Sequence, residues 1–184
     1  MKAKYLPVIL VLIAMTSVVA AENIIIDTRI GNLGGVMMFR VSRIEYPLMN
    51  DISGRIIYSV LDGVGITGNI NNYRIGLQGV YKTKLMDNKL LLDLAVGGSY
   101  ASSDEITGSV SIDFGLDAKY KLFDWLWPVV GADVKAYSDS YMADYYGGVS
   151  IPIFNWVSLD LLYSAILTND KHKIGAAGRI NLYF

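Results

Sequence analysis

His172 is the one histidine in the chain, and it stands beside Asp170 and Lys171. Any general-base or imidazole-ligand chemistry would have to pass through it. A nucleophile, its base and an orienting acid must converge in space, yet the next residues are Lys173, Ile174 and Gly175. There is no cysteine, which removes thiolate chemistry, disulfides and a lipoprotein anchor together. One histidine with scattered carboxylates is a poor donor set for a metal. Gly31 to Gly35 and Gly63-Val64-Gly65 lack a following helix pattern and a Lys-Ser/Thr, so they are not phosphate loops. The sequence therefore predicts a solvated loop histidine, no cofactor and no enzyme.

What remains is charge. Arg40, Arg55, Arg74 and Lys82 precede Asp93, Asp113, Asp117, Asp133 and Asp160, with Lys119 and Lys135 among the acids. Nearly all of them sit on the polar register of a period-two pattern, the mark of strands whose two faces meet different surroundings. Between Ile106 and Lys121 the even positions read Ile106, Gly108, Val110, Ile112, Phe114, Leu116, Ala118 and Tyr120, and the odd ones carry Ser109, Ser111, Asp113, Asp117 and Lys119. The same split separates Leu90, Leu92, Leu94 and Val96 from Asp93, Val130 and Val134 from Asp133 and Lys135, and Leu159, Leu161 and Tyr163 from Ser158 and Asp160. Every apolar run after Ala21 is interrupted within about ten residues, too short for a membrane-crossing helix.

A weak repeat orders these strands. Tyr46 to Asp51, Lys84 to Asn88, Lys121 to Trp125 and Pro152 to Trp156 each place an apolar pair before Asn or Asp, a turn former. Asn50, Asp87, Asp124 and Asn155 are spaced by 37, 37 and 31 residues, one strand out and one strand back. With terminal strands added, this predicts ten antiparallel strands near 23–31, 36–46, 52–63, 72–84, 89–101, 106–122, 126–137, 142–153, 156–167 and 173–184. Eight is the alternative, because Glu22 to Gly35 is the least regular part. In the second strand Met37, Phe39 and Val41 take the outer face if Arg40 points inward, and Arg43 then needs a bulge. Trp125, Trp127 and Trp156 flank the turns, and Tyr137, Tyr141, Tyr145 and Tyr146 crowd an opposite connection, as interfacial aromatic girdles would. The opposite connections 32–35, 64–71, 102–105, 138–141 and 168–172 are short.

Read in twos back from Phe184, the last stretch gives Leu182, Ile180, Gly178, Ala176 and Ile174 on an apolar face, against Tyr183, Asn181, Arg179, Ala177 and Gly175. This pattern, closing on an aromatic residue, resembles the C-terminal assembly signal of small bacterial outer-membrane β-barrels, with Phe184, Leu182 and Ile180 as its apolar residues. The resemblance covers the whole chain in architecture and implies an all-β fold: a single antiparallel transmembrane barrel at 22–184 after a signal peptide at 1–21. Lys2, Lys4, the apolar run Leu6 to Val19 and the small residues Val19-Ala20-Ala21 supply that leader, cut after Ala21. It further implies residence in the outer membrane among its lipids, the barrel-assembly machinery as partner, and a monomer. Removing the leader leaves 14 bases against 17 acids, a balance that favours neither nucleic acid nor anionic lipid. Some outer-membrane lipid deacylases and palmitoyl transferases are similar in size and use a rim histidine, but no His-x-Ser-Asn-type element follows His172.

Lipid offers an open sheet edge no hydrogen-bond partner, so the first strand must pair with the last. Ile24, Ile26, Thr28 and Ile30 then share the outer face, and Asp27 and Arg29 lie inside near Arg179. In so narrow a barrel, basic and acidic walls meet across the interior as ion-paired networks. The functional expectation is a structural barrel or a narrow, largely plugged solute pore. A lipid-modifying enzyme at the rim and a surface interaction barrel are the alternatives.

Overall fold

The computed structural model describes residues 24–33, 37–65, 68–103, 108–169 and 172–184. The expected leader at 1–21, and also Asp170 and Lys171, lie outside them. Ten strands follow in order: β1 Ile25–Leu33, β2 Met37–Met49, β3 Ile52–Gly65, β4 Gly68–Leu85, β5 Leu90–Ser103, β6 Ser109–Tyr120, β7 Trp127–Ala136, β8 Tyr141–Phe154, β9 Val157–Thr168 and β10 His172–Tyr183. Each pairs antiparallel with its sequence neighbours. β1 also pairs with β10, from Ile25 opposite Tyr183 to Leu33 opposite Gly175, and the sheet closes into a barrel. Because β1 is laddered on both sides, the eight-strand alternative falls.

The period-two pattern becomes an inside-out protein. On β6, Val110, Ile112, Phe114 and Leu116 are exposed on the outer surface, while Ser111 and Asp113 are buried in the interior. Leu77, Leu94, Val96, Val130, Leu161, Tyr163 and Ile180 extend that apolar belt around the wall. Water would make such a surface costly at roughly 25 cal/mol per Å² of apolar area; hydrocarbon makes it favourable.

The turn end carries tight reversals after β2, β4, β6 and β8. Ladder shifts fall between Pro47 and Met49 and between Pro152 and Phe154, where a proline has no amide to give. Met86, Asp87 and Asn88 all take left-handed backbone conformations, with φ of 55°, 55° and 64°, to reverse the chain between β4 and β5. Phe123 stacks on Trp125 and Phe154 on Trp156, giving two neighbouring turns the same exposed aromatic knuckle.

Several expectations are corrected. The β1–β2 and β2–β3 ladders run unbroken through Arg43, so Arg43 and Glu45 hold the inward register and Arg40 stands at the alternate position; the bulge comes later, beyond Pro47. Ile24 is buried rather than lipid-facing, because its carbonyl accepts the Phe184 amide at 2.9 Å and it lines a rim cleft with Pro47 and Leu48. Trp127 shares register with Val129 and Asp133 and lines the interior instead of the girdle. Tyr141 and Tyr145 do face outward, but Tyr146 is buried inside and Tyr137 turns inward to Arg74. The predicted connection 64–71 is largely strand: β3 and β4 stay paired up to Gly65 opposite Gly68, since a hairpin satisfies its own backbone in water as well as in lipid.

Candidate functional site

The inward register sorts charge by wall. Strands β10 and β1 to β4 carry Arg179, Arg29, Arg43, Arg55, Arg74 and Lys82, relieved among the described side chains by Asp27 and Glu45. Strands β5 to β9 carry Asp93, Asp113, Asp117, Asp133, Asp144 and Asp160, relieved by Lys119 and Lys135. Burial of any one of these charges alone would be prohibitive, so geometry must bring the walls together.

It does so at mid-height. Arg29 on β1 crosses to an ion pair with Asp144 on β8, and Arg43 on β2 meets Asp133 on β7 at 2.5 Å. Arg179 donates from Nε to Asp160 at 2.6 Å, and from Nη1 across the lumen to Asp117 at 2.8 Å. Lys119 Nζ lies 3.5 Å from Asp160. Tyr146 ties these pairs into one layer. Its hydroxyl donates to Asp117, and the guanidinium carbons of Arg29 and Arg179 sit 4.5 and 5.0 Å from its ring centroid, within cation–π range. The ring packs on Val129, Leu162 and Ala177. Gly131 makes the space: a Cβ there would lie 2.3 Å from the Tyr146 ring.

This layer divides the lumen. Toward the turns lies a cavity of about 750 Å³, and toward the opposite, loop end one of about 530 Å³, with Arg43 bordering both. In the turn-end cavity Glu45 accepts from Arg55 Nη2 at 2.8 Å and Nε at 3.0 Å and pairs with Lys82, while Asp93 lies 3.5 Å from Arg55. At its rim, outside the spanning strands, Lys121 pairs with Asp124 at 2.8 Å; that hydrogen bond, reinforced by the ammonium charge, holds the exposed Asp124 carboxyl below the usual carboxylate range. The loop-end cavity contains Arg74, whose Nη2 donates to the Tyr137 hydroxyl at 2.5 Å, and Lys135, among the apolar side chains of Val41, Ile57, Met142 and Ile166. Asp113 is fully buried in the wall, with Oδ1 accepting from Ser111 at 2.6 Å and Ser99 at 3.1 Å.

Of the sequence-predicted lumen charges, Asp117, Asp133 and Asp160 meet in the mid-lumen layer, Arg55, Lys82 and Asp93 in the turn-end cavity, and Arg74 at the loop end. Asp113 has no cation within 4 Å among the described residues, and Arg40 lies off the inward register. The sequence reading did not place Arg43, Glu45, Asp144 or Tyr146 in the lumen. Their signal was present: Arg43 with Glu45, and Asp144 with Tyr146, are two apart, as residues on one face of a strand must be. Ile180 and Phe184 are exposed on the outer face of β10 and at its rim, with Leu182 partly covered between them. His172 is exposed where β10 begins. No metal-ligating cluster occurs among the described residues.

No protein-family model matches the sequence, and no curated protein does. Among solved structures, the barrel is similar to an outer membrane channel from Pseudomonas putida F1, at 9% identity over 89% of this chain and 96% of that one, with a TM-score of 0.54. Looser likenesses are to the KdgM porin in complex with disordered oligogalacturonate (11% identity, 84% of this chain and 97% of that one, TM-score 0.48) and to Neisserial surface protein A (14%, 88% and 96%, TM-score 0.43). The shared property is the fold, that of the bacterial outer-membrane β-barrels.

Proposed function

We propose that the chain resides in the bacterial outer membrane as a structural barrel or narrow solute pore whose lumen is held shut at mid-height. The observation that carries the reading is the ion-paired layer crossing from the basic to the acidic wall: Arg29 to Asp144, Arg43 to Asp133 and Arg179 to Asp117. The closed wall with its apolar belt supports membrane residence, and the fold supports the outer membrane as its place. Outer-membrane lipid surrounds it, the assembly machinery inserts it, and it works as a monomer. His172 receives no catalytic role in this reading.

Planar-bilayer conductance of purified protein tests the idea. Wild type should show little steady current. Asp133→Asn combined with Asp144→Asn strips two carboxylates from the layer, leaving cations that admit water and anions, and should raise both current and anion preference. A large wild-type current untouched by those substitutions would overturn the closed-lumen reading and favour an open solute channel.

A further inference from the structure

The loop-end cavity holds two cations apart from its acids. Its lining includes Arg43, Arg74, Lys135, Asp133, Asp139 and Asp144. Arg43 and Asp133 are paired to each other, Asp144 is paired to Arg29, and Asp139 is an exposed rim residue whose carboxylate accepts from Ser138. Arg74 and Lys135 are left, both buried, and neither has a carboxylate within 4 Å among the described residues. Arg74 meets the Tyr137 hydroxyl, and its Nε finds no hydrogen-bond partner among the described residues. Among the described residues Asp113, in the wall beside Lys135, is an acid held by serines rather than by a cation. Both cations therefore face the cavity without a carboxylate in ion-pair contact among the described residues.

The same cavity is lined on its other sides by hydrocarbon: Val41, Ile57, Met142 and Ile166. At about 530 Å³ it lies within the range of small-molecule sites, roughly 300–1,000 Å³. A bare inorganic anion would satisfy the charge and leave the apolar walls wet; a neutral hydrocarbon would do the reverse. We propose that this vestibule binds a small amphipathic monoanion, of the chemical class of a medium-chain carboxylate, with Arg74 and Lys135 taking the head and the apolar residues the body. The Arg74 fork is suited to a planar carboxylate, and Lys135 adds a second, mobile donor. The site lies inside the closed wall, so its ligand arrives from water beyond the loop end rather than laterally from lipid. The proposal rests on the closed mid-lumen layer as the floor of the site.

Octanoate, octanol and inorganic phosphate, each titrated into the barrel in zwitterionic-lipid nanodiscs and followed by backbone amide NMR shifts, test it. Octanoate should saturate, with shifts concentrated on β2, β4, β7 and β8 around the cavity. Its dissociation constant should rise at least tenfold in Arg74→Gln/Lys135→Gln and stay unchanged in Lys121→Gln, at the other end of the barrel. Octanol should bind at least tenfold more weakly than octanoate, with no loss in the double variant. Should that variant not fold, Met142→Trp fills the cavity with both cations intact and must abolish octanoate binding. Absence of saturable shifts, equal binding of octanol and octanoate, phosphate binding as tightly as octanoate, or indifference to these substitutions would each overturn the proposal. Conductance is read separately: a non-conducting barrel that ignores octanoate removes this site and leaves the closed-lumen reading standing, whereas a conducting one that binds it does the opposite.

Discussion

Along β6, neighbouring residues are held by opposite rules. Val110, Ile112, Phe114 and Leu116 face outward and need only be apolar, since lipid solvates any of them. Ser111, Asp113 and Asp117, one residue away in each case, face partners that must be matched atom by atom: Ser99 for Ser111, two serines for Asp113, Arg179 and Tyr146 for Asp117. The outer face is specified by class and the inner face by identity. Conservative replacements should therefore be almost free outside and costly inside, whereas a charge should be costly outside.

The largest expected effect comes from the inner face. Asp133→Leu removes the carboxylate ion-paired to the buried Arg43 and should cost about 3–5 kcal/mol of unfolding free energy in lipid, most of it recovered in Arg43→Met/Asp133→Leu. Urea unfolding from vesicles reads both; equal losses in the single and double variants would show that the pair is not the unit of stability. On the outer face, Phe114→Arg at mid-strand should cost about 2–4 kcal/mol, and Val110→Arg, near one end of β6, about 0–1. The same cost at both depths would mean that the belt does not sit where the exposed apolar residues put it. Gly131→Ala should cost less than Phe114→Arg, at about 1–3 kcal/mol, as its methyl would press on the Tyr146 ring; Tyr146→Leu in the same background should relieve the strain. The smallest effect is at Asp124. Its depressed pKa means that the contribution of its pair with Lys121 is present above the unfolded carboxylate pKa and fades as pH falls through the folded value. It is fully exposed, so Asp124→Asn should leave the acid-unfolding midpoint unmoved within error. A clear shift there would contradict the view that ion pairs stabilise the barrel only when they are buried.

This contrast also explains what was legible. Period-two alternation reports which face a residue takes, and together with the Asn/Asp turn repeat and the need to leave no open edge in lipid it sufficed for ten strands, their turns and the antiparallel β1–β10 closure. It does not report which residue stands opposite. Arg43 meets Asp133 across the lumen because of the stagger with which the strands close, a property of the whole barrel rather than of either segment. Arg40 was preferred to Arg43 because the three apolar residues Met37, Phe39 and Val41 outweighed the later pair Arg43 and Glu45, when the ladder extends the register of that pair. Tyr146 was grouped with its exposed neighbours, although one step along a strand changes sides. Its place depends on Gly131 of the adjacent strand, a contact no single-strand pattern contains.

The β1–β10 seam has a consequence in time. The amide of Phe184 bonds to the carbonyl of Ile24, and β10 reaches back across the entire intervening chain to find β1. Joining the most distant segments is the entropically slowest contact to form. Once made, it is correspondingly slow to lose, because peeling any one ladder in hydrocarbon exposes two rows of backbone groups with no partner. There is no half-open state of low energy between zipped and unzipped. The barrel should therefore persist for reasons of rate as much as of free energy, unfolding in a single slow step whose barrier is the first hydrogen bonds broken at that seam.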